Sequence, residues 1–248
     1  MTRRRWIADE VSGDRAALTG QNAAHLARVL RARAGQEFDI GTGERVRRGR
    51  IVNVSETRVE FELEGEVAQA AGPNLTLLLA VYKFDRMEWA LEKAVELGAW
   101  RIVPVIARRT STHLASAAGK RVERWRRIVR EASQQARRVS VPEVAAPAPL
   151  KEAVATDAAT RIVLAENEQP RSLREAVSAA QGHSLALAVG PEGGWAEDEL
   201  QQFADAGWIA ASLGNNILRA ETAAIAALAI LLAEATSRPQ GTPSKGSR

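Results

Sequence analysis

Gly190-Pro191-Glu192-Gly193-Gly194-Trp195 and, further on, Leu213-Gly214-Asn215-Asn216-Ile217-Leu218-Arg219-Ala220-Glu221-Thr222-Ala223 decide how this chain reads. Each follows a short apolar run, Leu185 to Val189 and Ile209 to Leu213, and each precedes a segment of helical periodicity. Both therefore read as loops leaving the carboxyl ends of buried strands, where open α/β sheets bind their ligands. Glycine lets a backbone approach a bound molecule closely, because it carries no Cβ and adopts dihedrals closed to other residues. A polyphosphate is not the expected ligand: Glu192, Glu197, Asp198 and Glu199 put carboxylates where a phosphate would need the positive end of a helix. No G-x-x-x-x-G-K-[ST] is present, and no G-x-G-x-x-G follows an expected strand.

Working outward, the chain alternates strands and helices. Leu75 to Val81 is a near-continuous apolar run, the pattern of a strand buried on both faces of a parallel sheet. A helix follows, with Asp85 available as its cap, a stripe of Met87, Leu91, Ala94, Val95 and Leu97, and Gly98 at its end. Strands are expected at Arg101 to Ile106, Arg161 to Ala165 and Ser184 to Val189, with a basic helix over Lys120 to Val139 and a short one over Leu173 to Ala180. This rhythm argues for a parallel α/β sheet. The last helix, from Arg219 to about Glu234, is alanine-rich and suits either a core position or a dimer seam.

Residues 1–70 read differently. One helical stretch, Gln21 to Arg31, precedes alternating segments at Glu37 to Ile40, Val46 to Val54 and Arg58 to Leu63, with Gly41-Thr42-Gly43 as a hairpin connection. His25, four residues before Val29, reads as a core or capping histidine. Val67 to Asn74, with Gly72-Pro73, is a linker by composition, and residues 236–248 read as a disordered tail.

Composition narrows the function classes. The 248 residues are 46% hydrophobic but only 4% aromatic, which fits a helix-rich α/β protein. There is no cysteine, so disulfides, thiolate metal sites and cysteine nucleophiles are excluded together. No apolar h-region follows the basic start and no uninterrupted apolar stretch could span a bilayer, so a cytoplasmic protein without membrane partners or metal is expected. The formal charge of +4 is modest. Its distribution is telling: Arg3, Arg4, Arg5, Arg28, Arg31, Arg33, Arg45, Arg47, Arg48 and Arg50 crowd the first fifth of the chain, as expected of a nucleic-acid footprint.

The paired loops, G-P-E-G-G-W and L-G-x-x-I-L-R-x-E-T-A, resemble the signature of the SPOUT methyltransferases, specifically the bacterial 16S ribosomal RNA uridine-N3 methyltransferase family. His25-Leu26-Ala27-Arg28-Val29-Leu30-Arg31 and the run from Glu131 to Arg138 ending in Val141-Pro142-Glu143 are similar to two further motifs of that family. The chain departs from it at Ser133-Gln134, where another small residue and Glu are common, and at Asn215-Asn216, where a basic residue is frequent.

The resemblance implies an α/β protein in which a PUA-like β-barrel (1–70) binds RNA and a SPOUT domain (74–235) carries a trefoil knot, a topology that general connection rules would have voted against. It implies S-adenosylmethionine as cofactor, held by Leu164 and Ala165, by Gly190, Pro191, Glu192 and Gly193, and by Ser212, Leu213, Gly214, Asn216, Ile217 and Leu218. It implies catalytic roles for Arg219 and Glu221, RNA contacts by Arg4, Arg5, Arg28, Arg31 and Lys83, and a homodimer acting on 16S rRNA within the 30S subunit. Structural alternatives stay open for both catalytic candidates: Arg219 as a phosphate contact, Glu221 as a helix cap.

Overall fold

The computed structural model describes residues 5–43, 45–67, 74–165, 171–178 and 184–237. It divides into two compact units, one of Met1–Ala71 with Arg126–Glu143, the other of Gly72–Trp125 with Val144–Arg248.

The first unit begins with β1 (Arg5–Ile7), β2 (Glu10–Ser12) and β3 (Arg15–Thr19), three strands with no clear signal in the sequence. The expected helix at Gln21 to Arg31 is a single α turn, α1 (Gly20–Ala24), running into a π turn over His25–Val29, and Arg31 then takes a positive φ of 49°. Three long strands follow, β4 (Glu37–Gly41), β5 (Val46–Val54) and β6 (Arg58–Glu66), giving a curled six-stranded sheet in the order β1-β4-β5-β6-β3-β2. All its pairings are antiparallel except β1 with β4. Register shifts between Arg47 and Gly49 and between Ile51 and Asn53 bend the β5–β6 pair, which helps the sheet curl. Leu18, Leu26, Ile40, Ile51, Val59 and Phe61 fill its concave side. Each such side chain contributes about 1.5–3 kcal/mol by leaving water.

His25 is not a core residue: it is exposed at the C-cap position of α1, its ring 5.9 Å from that of Trp6. The departure at Gln134 has a physical role. Its Oε1 accepts from the Ile7 amide at 3.1 Å and its Nε2 donates to the Ile7 carbonyl at 3.2 Å, so the side chain pairs with β1 as a strand would. A carboxylate can only accept. Ser133 is buried and donates to the Val129 carbonyl at 2.7 Å. Gly41 is required by the same packing, since a Cβ there would collide with the Val139 carbonyl.

The second unit contains β7 (Asn74–Ala80), α2 (Phe84–Glu96), β8 (Arg101–Ile106), the long α3 (Thr112–Gln135), β9 (Glu143–Val144), β10 (Ala148–Pro149) and α4 (Leu150–Ala153). After these come β11 (Thr160–Leu164), α5 (Leu173–Ser178), β12 (Ser184–Val189), α6 (Glu197–Asp205), β13 (Ile209–Ala211) and α7 (Ala220–Ser237). The unit boundary falls inside α3, whose last ten residues belong with the first unit.

The sheet order is β10-β8-β7-β12-β11-β13, every neighbour parallel, and β9 also pairs with β8. α2 buries Met87, Ala90, Leu91, Ala94 and Val95, and Gly98 ends it at φ 95°. Asp85 does not cap it: Lys83 holds the N-cap position, no side chain caps the helix, and Asp85 in the first turn acts only through the helix dipole. α3 starts at Thr112, well before the expected Lys120. α7 packs on α2 and α5 through a face that includes Ala220, Ala224, Ala227, Leu228 and Leu231. Of the expected tail, Thr236 and Ser237 complete α7 and 238–248 lie outside the described residues, as do 68–73 of the linker. No helix among the described residues is long and apolar enough to cross a membrane.

Candidate active site

The carboxyl ends of β11, β12 and β13 open into one cavity of about 350 Å³. Its wall includes every residue expected at the cofactor: Leu164 and Ala165 after β11, Gly190 to Gly193 after β12, and Ser212, Leu213, Gly214, Asn216, Ile217 and Leu218 after β13. Parallel pairing brings these loops together, because β12 and β13 flank β11 and all three run the same way.

Local interactions shape each loop. The Gly194 amide donates to the Pro191 carbonyl at 2.8 Å, closing a turn that leaves Gly194 at φ 68°. A Cβ on Gly190 would sit 3.2 Å from Trp195 Nε1, so the bare glycine lets the indole fold under the loop and pack on Phe203, ring centroids 5.0 Å apart. The third loop is pinned where Ser212 donates its amide to the Arg171 carbonyl at 3.0 Å and accepts from the Leu173 amide at 2.9 Å. Gly214 has φ 111° with nothing within 4 Å of a built Cβ. The result is a wall of backbone and small apolar side chains with open space at Gly214. That suits an uncharged aromatic base with a short charged tail.

Arg219 and Glu221 do not line the cavity. Arg219 is exposed just before α7, its carbonyl accepting from the Ala223 amide at 2.8 Å. Glu221 is buried, with Oε1 3.8 Å from Arg86 Nε and Oε2 without a hydrogen-bond partner. Arg86 also reaches Glu192 Oε1 at 3.3 Å, so one guanidinium joins the second loop to the start of α7. Tyr82, buried beside them, has its phenol pushed far above its ordinary pKa by burial and then by the Glu221 and Glu192 charges, with Arg86 opposing, and it stays a neutral phenol. Sequence reasoning missed Arg86, Tyr82 and Arg109, which also lines the cavity. Tyr82 follows β7, Arg86 lies in the first turn of α2 and Arg109 follows β8, and none of them carries a local motif.

The RNA candidates fall in both units, Lys83 in the second and the others in the first. Arg4 lies outside the described residues. Arg5 donates from Nη1 to the Arg137 carbonyl at 2.8 Å, Arg28 pairs with Glu56, and Arg31 and Lys83 are exposed. Among the described residues, several of the crowded arginines are paired with carboxylates. Arg45 pairs with Glu66, Arg47 with Asp14 at 2.8 Å, and Arg50 with Glu64 at 2.7 Å. Cross-strand pairs of this kind balance charge across the sheet and leave a weaker field than the arginine count suggests. Among the described residues no group of three or more His, Cys, Asp or Glu is placed to hold a metal ion.

A cavity built on glycine loops at the carboxyl edge of a parallel sheet, in a chain with a separate curled sheet, defines a two-unit α/β protein with a ligand-sized cavity. Residues 70–232 match the RNA methyltransferase domain and residues 18–64 the RNA methyltransferase PUA domain. Ribosomal RNA small subunit methyltransferase E of Mycobacterium bovis is 35% identical over 88% of this chain and 86% of its own length, and its Bacillus subtilis counterpart 29% over 86% and 88%. Among solved structures, the enzyme of that name from Neisseria gonorrhoeae, bound to S-adenosyl methionine, has a TM-score of 0.76 at 31% identity over 92% of this chain and 96% of its own. A Legionella pneumophila protein with bound SAM reaches 0.78 at 26% identity, over 94% and 98%. The chain belongs to the RNA methyltransferase family whose members carry the name ribosomal RNA small subunit methyltransferase E.

Proposed function

We propose that this protein is the S-adenosylmethionine-dependent 16S rRNA methyltransferase that modifies N3 of one uridine in the decoding region of the small subunit, acting in the cytoplasm on assembled 30S particles. One observation carries the reading: the three loops expected to hold S-adenosylmethionine converge on a single cavity whose walls fit it. The relatives' names support the substrate. In this reading residues 1–70 are a PUA-like barrel for RNA and residues 74–235 a SPOUT domain with a trefoil knot. The sheet order, in which β13 lies beyond β11 while α7 returns to α2, supports that threading.

The cofactor supplies the methyl group on its sulfonium. The protein's task is alignment and charge. Glycine loops seat the donor by backbone approach, and in-line placement of an acceptor accounts for much of the available acceleration. N3 becomes nucleophilic as its proton leaves, and the negative charge that develops spreads onto the flanking carbonyl oxygens. Arg219, exposed beside the cavity residue Leu218, is the donor proposed for that charge. Glu221, with its unpaired Oε2, is proposed to accept the proton through an intervening water.

N3 lies on the pairing edge, so the target uridine must be unpaired or flipped, and assembled subunits should be methylated better than naked RNA. The same fact gives the decisive experiment. Primer extension on small-subunit RNA should halt at one uridine, and the halt should vanish on gene deletion and return with the wild-type gene. A halt that persists, or a methyl mapped to ribose or to uracil C5, would overturn the assignment.

We propose that Arg28 and Arg31 contact RNA phosphate. Replacing both with alanine should weaken RNA binding and lower the salt slope by about 1–2, read from affinities at several ionic strengths. An unchanged slope would remove them from the contact. A homodimer is also proposed, supported by the partly exposed Ile225 and Ile230 on α7. Sedimentation showing a fully active monomer at micromolar concentration would count against it.

A further inference from the structure

Among the described residues, the cavity wall carries one cationic side chain, Arg109, and one carboxylate, Glu192. Everything else is apolar, small or amide. Arg109 comes from the turn after β8, and its placement is built in. The turn is closed by the Ala107 amide donating to Thr110 Oγ1 at 3.3 Å, and that hydroxyl donates to the Val81 carbonyl at 2.9 Å. From the other side, the Arg108 amide donates to Glu199 Oε1 at 2.7 Å, while Oε2 of the same buried carboxylate accepts from the Ala196 amide at 2.8 Å. Both oxygens of Glu199 are thus spent on holding this turn against the start of α6. Out of it the Arg109 side chain runs flat along the second loop, its Cδ 3.4 Å from where a Gly193 Cβ would be, and Nη1 donates to the Gly193 carbonyl. One contact of five possible donors is used, and the rest of the fork is left for a ligand.

S-adenosylmethionine, the cofactor of the reading above on which this inference rests, has a charge pattern to match: a sulfonium and an α-ammonium, both cationic, and one α-carboxylate. The geometry points to Arg109 as the residue that binds the carboxylate of the cofactor's amino-acid tail; Glu192, the other charged residue of the wall, is already engaged by Arg86 at 3.3 Å. The Gly193 carbonyl holds the guanidinium in place before the cofactor arrives, so little side-chain freedom is lost on binding. A charge-assisted contact of this kind is nearly twice as strong as a neutral one. It also separates whole cofactor from adenosine derivatives that lack the α-carboxylate.

The test compares calorimetric affinities of the full-length wild type, Arg109→Met and Arg109→Lys for two probes: S-adenosylmethionine and its decarboxylated form, which keeps both cationic centres. Arg109→Met should weaken S-adenosylmethionine about tenfold, the size of one charge-assisted hydrogen bond, and leave the decarboxylated form within about twofold. Arg109→Lys should recover part of the loss. Equal weakening of both probes would mean that Arg109 only shapes the Gly193 loop, and no weakening of either would remove it from the site; both results overturn the inference. Failure of the wild type to bind either probe would instead overturn the cofactor reading, and this inference with it. Arg109 is exposed, so its loss should leave the unfolding temperature unchanged, and a circular dichroism melt identifies a misfolded variant. In that case Arg109→Lys carries the comparison alone.

Discussion

Replacing Gly214 with valine abolishes S-adenosylmethionine binding, an expected loss of at least about a hundredfold, while the protein stays folded. The reason is the backbone. Gly214 sits at φ 111°, where a β-branched residue is strongly strained. Nothing lies within 4 Å of its Cβ position, so the side chain meets no protein atom there and the strain must be relieved by moving the loop. That loop carries Leu213, Asn216, Ile217 and Leu218 into the cavity, and moving it dismantles one wall. About 3 kcal/mol of strain and displacement is enough for a hundredfold effect. Gly193→Val is expected to act more mildly, since its Cβ would meet only the Arg109 side chain at 3.4 Å, an ordinary contact. Calorimetry on the two folded variants checks the order. Unchanged affinity in Gly214→Val would place the cofactor elsewhere.

Arg219→Ala separates chemistry from binding. Its side chain is exposed and lies off the cavity wall, so cofactor affinity should change less than about twofold. Methylation of assembled small subunits should fall about a hundredfold or more in kcat, the usual size of a lost donor to developing negative charge. In the primer-extension assay this variant should restore the halt poorly in the deletion strain. A variant that raised KM with kcat intact would instead make Arg219 a phosphate contact that positions the RNA.

The network around Arg86 explains why Glu221 is difficult to assign from sequence. Read along the chain, Glu221 is an acidic residue in the first turn of a helix, a position that the helix dipole favours in any protein. In three dimensions it is buried, with a guanidinium from α2 on one oxygen and no partner on the other. The arginines of the N-terminal region went the other way. Their crowding reads as a footprint, yet Arg45, Arg47, Arg50 and Arg58 each face a carboxylate on another strand or loop, which sequence order does not reveal.

What the sequence by itself determined is whatever depends on local order. Apolar runs at Leu75 to Val81 and Ser184 to Val189 have the pattern expected of buried strands in a sheet covered on both faces. Gly98 marks the end of α2 with a positive φ that other residues resist, and the glycine loops announce where a backbone must come close to a ligand. The loops of the cavity wall were legible for that reason, since each follows a readable apolar run. Short strands with weak alternation, β1 to β3, were not, because three to five residues carry too little pattern against the turns around them. Only the tertiary structure decided the rest. Strand order places β11 between β12 and β13 and so gathers loops about fifty residues apart in sequence into one cavity. It sends Arg109 from the turn after β8 and Arg86 from the first turn of α2 to the same loop, and it gives the last ten residues of α3 to the N-terminal unit, where Gln134 pairs with β1. Charges and polar groups act through distance in space, and that distance is set by how the strands are ordered, which no local pattern encodes.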